Sequence, residues 1–334
     1  MEKTKVLMTT ELSPSQTEYI RTSLGGEFDL ILPEQFTEDG ILKYISDVKI
    51  LLGDNISKNM IEKSEVELIQ VPWAGVEKLD FQLLRNYDIS VCNSHSNALA
   101  VAEYAVGLLL GIAKKIPYHD NLLRNGDWNR IKKEEKNSEI QYSSYVSNKT
   151  IGFIGYGNIG KNIVTLMKGF KPKIMAIVSD KNKKYDEVDF IGDATDLEYV
   201  LENSDYIVVA TALTEETRGM LTKENLIKMK KTSYIINISR GRIIDEEALY
   251  YVLENRLIAG AGIDTWYNYP KESLEITYPS KKYDFHKLSN IIISPHRAAQ
   301  IEGEFTYLND AIDNIKEYNK EKNYKNRLNI KKGY

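Results

Sequence analysis

The chain has 334 residues, 42% of them apolar, with 44 basic against 48 acidic side chains. That length points to about two domains, and the near balance of charge leaves no field for steering a nucleic acid or a membrane surface. A single cysteine, Cys92, and four histidines without zinc-motif spacing exclude a disulfide framework and a thiolate metal site.

The N-terminus runs into a short apolar stretch rather than a signal-peptide core. The longest apolar stretch, near Ala105–Ala113, is too short to span a bilayer. A cytoplasmic protein is the expectation.

Short buried strands are predicted at Lys5-Val-Leu-Met, Phe28-Asp-Leu-Ile-Leu, Val48-Lys-Ile-Leu-Leu, Leu68-Ile-Gln-Val and Ile89-Ser-Val-Cys. Helical segments fall between them, at Ser15–Leu24 and Asp80–Arg85. This first stretch reads as a small α/β domain. Ala98 to Leu123 is apolar and interrupted only late, by Pro117, and reads as one long buried helix. Residues 129–149 are charged and polar and read as a surface excursion.

From Thr150 the alternation of strand and helix resumes. Strands are predicted at Ile151–Ile154, Lys173–Val178, Tyr206–Ala210, Tyr234–Ile238, Ala259–Ile263 and Ile291–Ser294, a number suited to a doubly wound parallel sheet. Glu302–Lys320 reads as a helix, and the lysine- and asparagine-rich residues 321–334 as an extended end.

The first of these strands, Thr150-Ile-Gly-Phe-Ile, leads into Gly155-Tyr-Gly157-Asn-Ile-Gly160 and then into an amphipathic segment. Strand, glycine turn and helix are the context in which this motif means dinucleotide binding. Gly155 would make the tight turn, Gly157 would let a pyrophosphate approach the backbone, and Gly160 would pack helix on sheet. The helix N-terminus adds free N–H groups and a partial positive charge, which suit Asn158 and Ile159 to phosphate contact. Nearly half the chain precedes the motif, so the cofactor domain is inserted into something else.

Three later strands end on an arginine, an aspartate and a histidine. Asn237-Ile-Ser-Arg240-Gly241 places an arginine just past one strand, Ala259-Gly-Ala-Gly-Ile-Asp264 ends on an aspartate, and Ile291-Ile-Ile-Ser-Pro295-His296 ends on a histidine. In open α/β sheets, ligands bind at the carboxyl ends of strands. The three residues therefore point to one cleft.

With these segments the chain resembles the D-isomer-specific 2-hydroxyacid dehydrogenases. The resemblance also takes in Val71-Pro-Trp-Ala74-Gly75-Val76, Asn97-Ala-Leu-Ala-Val101-Ala102-Glu103, Leu213-Thr214-Glu-Glu-Thr217 and the end from Asn326 to Tyr334. It implies two Rossmann-like domains with doubly wound parallel sheets. The cofactor domain, residues 99–298, would be inserted into a discontinuous, flavodoxin-like substrate domain of residues 1–98 and 299–334. It also implies a homodimer contacting through the cofactor domain, with the long helix at Ala98 as a contact.

The resemblance assigns roles. Arg240 would bind the substrate carboxylate and polarise its carbonyl, for which a planar fork of donors is suited. His296 would be the general acid, its ordinary pKa lying near neutrality. The backbone amides of Ala74, Gly75 and Val76 would hold the carboxylate. Trp73 either walls the pocket or packs in the core. Asn97 either contacts substrate or caps the helix beside it. Thr211, Thr217 and Asp264 fall where the family contacts its cofactor, Asp264 near the nicotinamide amide.

Two positions depart from the family pattern. The family places a glutamate five residues after the aspartate, where this chain has Tyr269. A phenol can orient an imidazole but carries no negative charge at neutral pH, so His296 is expected to titrate lower, by about one unit. At the end of the second cofactor strand, where an acidic residue selects NAD through the ribose diol, stands Val178. Asp180 could reach the diol, or Ser179 with the following lysines could hold a 2′-phosphate, so NAD and NADP both stay open.

The expected activity is hydride transfer between NAD(P)H and a small 2-keto acid of the glyoxylate or hydroxypyruvate type, yielding a D-2-hydroxy acid. No metal is called for. Phosphoglycerate oxidation is less expected, since no regulatory domain follows residue 334. The alternative is a non-catalytic NAD(H)-sensing protein of the corepressor type, which the same fold serves.

Overall fold

The computed structural model describes residues 3–128, 142–272, 275–303 and 305–331. The chain divides into two compact units, one running up to Asn97 and resuming at Ile301, the other spanning Ala98–Gln300.

The first unit is a five-stranded parallel sheet in the order β2-β1-β3-β4-β5. The strands are β1 (Thr4–Met8), β2 (Phe28–Ile31), β3 (Ile50–Leu52), β4 (Leu68–Gln70) and β5 (Ser90–Cys92). β3 and β4 are buried at every residue, as parallel strands covered on both faces must be. The helix Pro14–Leu24 starts on a capping box in which Ser13 and Gln16 satisfy one another's backbone amides. The C-terminal helix Asn309–Tyr318 returns to this unit and buries Ala311, Ile312 and Ile315 with Val6, Ile20 and Leu52. It begins later than the sequence pattern suggests. Among the described residues of that stretch, only a 3₁₀ turn, Thr306–Leu308, precedes it.

The second unit is a seven-stranded parallel sheet in the order β12-β11-β10-β9-β6-β7-β8. Its strands are β6 (Thr150–Ile154), β7 (Lys173–Ile177), β8 (Phe190–Gly192), β9 (Tyr206–Val209), β10 (Tyr234–Asn237), β11 (Gly260–Ile263) and β12 (Ile291–Ile293). The order reverses between β6 and β9, the arrangement of a doubly wound dinucleotide-binding sheet. Both units are therefore α/β and Rossmann-like. β8 was not anticipated. It is three residues long and sits at the sheet edge, with only Gly192 buried, so it carries little apolar pattern.

The segment Ala98–Leu123 is two helices, not one. Ala98–Ala113 buries nine residues and packs against the helix Asn158–Met167 and strands β10 and β11. Lys115 then adopts a left-handed conformation, and a second helix, Ile116–Arg124, starts with Pro117 in its first turn. Proline is pre-shaped for that position and cannot continue a helix from before it. No residue of the second helix is buried. Of the expected surface excursion, residues 129–141 lie outside the described residues, as do the last three of the chain. No helix among the described residues is long and apolar enough to cross a membrane.

Candidate active site

In the second unit every sequence-predicted site residue stands at the carboxyl end of a strand, in the loop that follows, or, for Asn158 and Ile159, at the start of the next helix. The glycine turn comes after β6. Gly155 has a φ of 88°, and an added Cβ would lie 2.7 Å from the Thr211 backbone. Only glycine fits there. A Cβ at Gly160 would lie 2.8 Å from the Tyr156 ring, which explains the close packing of helix on sheet. Gly157 is different: a Cβ there would meet nothing within 4 Å. Its space is open.

Gly157 is also the N-cap of the helix Asn158–Met167, with no side chain capping it. The first helical amide to find a backbone acceptor is that of Lys161, on the Gly157 carbonyl at 3.0 Å. The preceding amides of Asn158, Ile159 and Gly160 are left to a ligand, as an anion cradle requires. The residues present therefore fit a dinucleotide pyrophosphate.

Thr211 follows β9 and accepts the Ser239 hydroxyl on its carbonyl. Thr217 closes the next loop, its hydroxyl donating to the Ala212 carbonyl at 2.6 Å and accepting from Thr214 N at 2.8 Å. Val178 continues the sheet, its N–H on the Gly192 carbonyl at 2.9 Å, while Ser179 and Asp180 beyond it are exposed.

Arg240, Asp264 and His296 follow three adjacent strands, β10, β11 and β12. Buried Asn237 fixes the arginine's loop by donating to the Arg240 carbonyl at 3.0 Å and accepting from Ser239 N at 3.0 Å. The guanidinium is half-buried and donates to the Ser239 carbonyl at 2.8 Å.

Asp264 is fully buried. Its Oδ1 accepts the Ser294 hydroxyl and the Arg297 N–H at 2.8 Å, and its Oδ2 accepts the Ala298 N–H at 3.0 Å. The carboxylate thus braces the turn that carries His296. That turn needs a brace, because His296 has a φ of 59°, a conformation unusual outside glycine. Ser294 is held further by Tyr104, at 2.7 Å between hydroxyls, and its carbonyl accepts the Trp266 indole N–H at 2.7 Å.

Tyr269 stands beside His296, ring centroids 5.7 Å apart and tilted by 50°. Its hydroxyl oxygen accepts the Trp266 N–H at 2.9 Å. The phenol is thus anchored to the loop after β11 while its ring flanks the imidazole.

In the first unit the loop after β4 is tied back by its carbonyls. Asn93 donates to the Ala74 carbonyl at 2.8 Å, and Ser94 N–H donates to the Trp73 carbonyl at 3.2 Å. The amides of Ala74, Gly75 and Val76 donate to no acceptor among the described residues. Trp73 is half-buried and packs against the core of this unit, and Val76 is buried within it. Asn97 stands immediately before the helix Ala98–Ala113 and makes no hydrogen bond among the described residues. Asn93, Ser94, Tyr104 and Ser294 were missed in the sequence. The first two are polar residues directly after a buried strand, the signal that singled out Arg240.

Residues 106–298 match the NAD-binding domain of the D-isomer-specific 2-hydroxyacid dehydrogenases. The chain belongs to this family. It is 31% identical to the glyoxylate reductase of Pyrococcus furiosus over 283 residues, covering 82% of this chain and 80% of that protein. It is 30% identical to the D-3-phosphoglycerate dehydrogenase of Methanocaldococcus jannaschii over 271 residues, 80% of this chain but only 48% of that protein's length. A probable 2-hydroxyacid dehydrogenase from Rhizobium etli, solved with NADP, is 18% identical. It covers all of both chains with a TM-score of 0.81, which shows the shared fold. This D-2-hydroxyacid dehydrogenase is an NAD(P)-dependent oxidoreductase.

Proposed function

We propose that the chain reduces a small 2-keto acid, glyoxylate or hydroxypyruvate, to the D-2-hydroxy acid. The observation that carries this is the placing of Arg240, Asp264 and His296 on three adjacent strand ends, in the sheet that carries the dinucleotide cradle. The cofactor, when bound, supplies the hydride from its nicotinamide C4. The chain supplies everything else.

The substrate carboxylate takes hydrogen bonds from the Arg240 guanidinium; within the first unit, the open amides of Ala74, Gly75 and Val76 are themselves suited to a carboxylate. An arginine fork matches a carboxylate edge. Arg240 also draws charge toward the carbonyl oxygen as it becomes an alkoxide. His296 gives that oxygen a proton. Asp264 keeps the imidazole in place by bracing its turn, and Tyr269 restricts the ring from one side. Asn97 contacts the substrate or the nicotinamide. Asn158, Ile159, Thr211 and Thr217 serve the cofactor.

We also propose a homodimer formed through the second unit. Ile116 and Leu123 lie exposed on a helix with no buried residue, apolar surface that a second copy would cover.

The test is the loss of reduced-cofactor absorbance with NADH and NADPH across a panel of 2-keto acids. Turnover confined to small 2-keto acids supports the reading. Intact cofactor binding without turnover of any would favour a sensor of NAD(H).

A further inference from the structure

The loop beyond β7 decides which dinucleotide is taken, and its side chains fall into two groups. The first is four carboxylates, Asp180, Glu187, Asp193 and Asp196, each engaged within its own surroundings; Asp186, exposed further along the loop, has no such contact among the described residues. Asp180 turns its Oδ1 back on Asn182, accepting the backbone N–H at 3.1 Å and the side-chain amide at 3.2 Å. Asp193 caps the next turn, accepting from Thr195 N at 3.0 Å and from its hydroxyl at 2.6 Å, and pairs with Lys181 at 2.6 Å. Lys181, then Thr195, hold its carboxyl down at about 2. Asp196 accepts the Asp193 N–H at 3.0 Å, and Glu187 accepts the Tyr156 phenol at 2.9 Å.

A ribose diol is recognised by a carboxylate that meets its hydroxyls from the end of this strand. Val178 holds that place here, and its side chain packs against the core. Asp180, the nearest carboxylate, has one oxygen already spent on its own turn.

The second group is uncommitted. The side chains of Ser179, Lys183 and Lys184 are exposed and make no hydrogen bond or ion pair among the described residues. The Lys183 N–H closes a turn on the Asp180 carbonyl at 3.2 Å, so the lysine pair follows a tight turn a few residues after β7. A hydroxyl and two ammonium groups beside the strand end suit a phosphate dianion.

We propose that the chain selects NADP(H) over NAD(H), with the 2′-phosphate held by Ser179, Lys183 and Lys184. This rests on the dinucleotide cradle at Gly155–Gly160 and not on the identity of the keto acid.

The test is a fluorescence titration of the protein with NADPH and with NADH, without keto acid. NADPH binds about tenfold tighter or better, and the gap narrows as salt rises. In the double variant K183A/K184A the NADPH affinity falls by about tenfold while NADH affinity holds, which also shows that the variant is folded. NADH binding as tightly as NADPH, or an unchanged NADPH affinity in the double variant, overturns the proposal. Because no substrate is present, failure of the proposed keto acid leaves this measurement standing.

Discussion

The buried carboxylate of Asp264 accepts the backbone N–H of Ala298 at 3.0 Å, across the turn that holds His296 in a left-handed conformation. With the Arg297 N–H and the Ser294 hydroxyl, three donors converge on one side chain. The aspartate therefore acts on the backbone just after the histidine and on Ser294 before it, and the imidazole inherits its position from that.

Asp264→Asn replaces one acceptor oxygen by a donor, leaving at least one buried N–H without a partner. The cost is about 2 kcal/mol, read as a lower midpoint of thermal unfolding. As His296 loses its fixed position, kcat falls about tenfold or more. NAD(P)H affinity changes little. If the variant instead loses cofactor affinity and keeps kcat, the aspartate serves the nicotinamide and not the turn.

Gly155 and Gly157 separate folding from binding. At Gly155 a Cβ strikes the Thr211 backbone and the positive φ is strained, so Gly155→Ala destabilises the protein by about 2 kcal/mol or more. At Gly157 a Cβ meets no protein atom. Gly157→Ala leaves the thermal midpoint of the free protein in place, yet NAD(P)H affinity falls about tenfold because the methyl occupies the pyrophosphate's approach. Calorimetry on both variants checks this pair.

Tyr269→Glu tests what the phenol lacks. A carboxylate beside His296 favours the protonated imidazole and raises its pKa. Keto-acid reduction uses that protonated form, so activity is lost as pH rises through the pKa. The alkaline limb of kcat/KM therefore moves to higher pH in the variant, by about one unit. An unmoved limb would mean that Tyr269 and His296 are not coupled.

Asn93 holds the Ala74 carbonyl and so aims the open amides of the loop. Asn93→Ala loosens that loop without touching Arg240 or His296. KM for the keto acid rises about tenfold, with kcat changed less, as expected for lost ground-state positioning. Steady-state kinetics on the variant measures the split.

Most of the strands were legible because parallel strands are buried on both faces and read as apolar runs, as at Tyr206–Val209. β8 was not, since a short edge strand has almost no such run. The break at Lys115 was hidden because apolar residues resume beyond the Lys114-Lys115 pair, at Ile116, Leu122 and Leu123, and Pro117 marks a helix start as readily as an end. At the site, strand-ending Arg240 and His296 stood out by charge. Asp264 was visible, but its hold on backbone amides 33 and 34 residues away was not, because long-range pairing leaves no local signal. The loop beyond β7 carried the clearest ambiguity. Its lysines and aspartates alternate in sequence, and only their pairing in space separates the engaged from the available.

The measurement that bears most directly on the account is a product analysis after reduction of hydroxypyruvate with NADPH. Reduced cofactor consumed is compared with 2-hydroxy acid formed, and the enantiomers are resolved. One D-2-hydroxy acid forms per cofactor consumed, and this product is lost in Arg240→Ala and His296→Ala. Formation of the L-enantiomer, or turnover that survives in both variants, would contradict this.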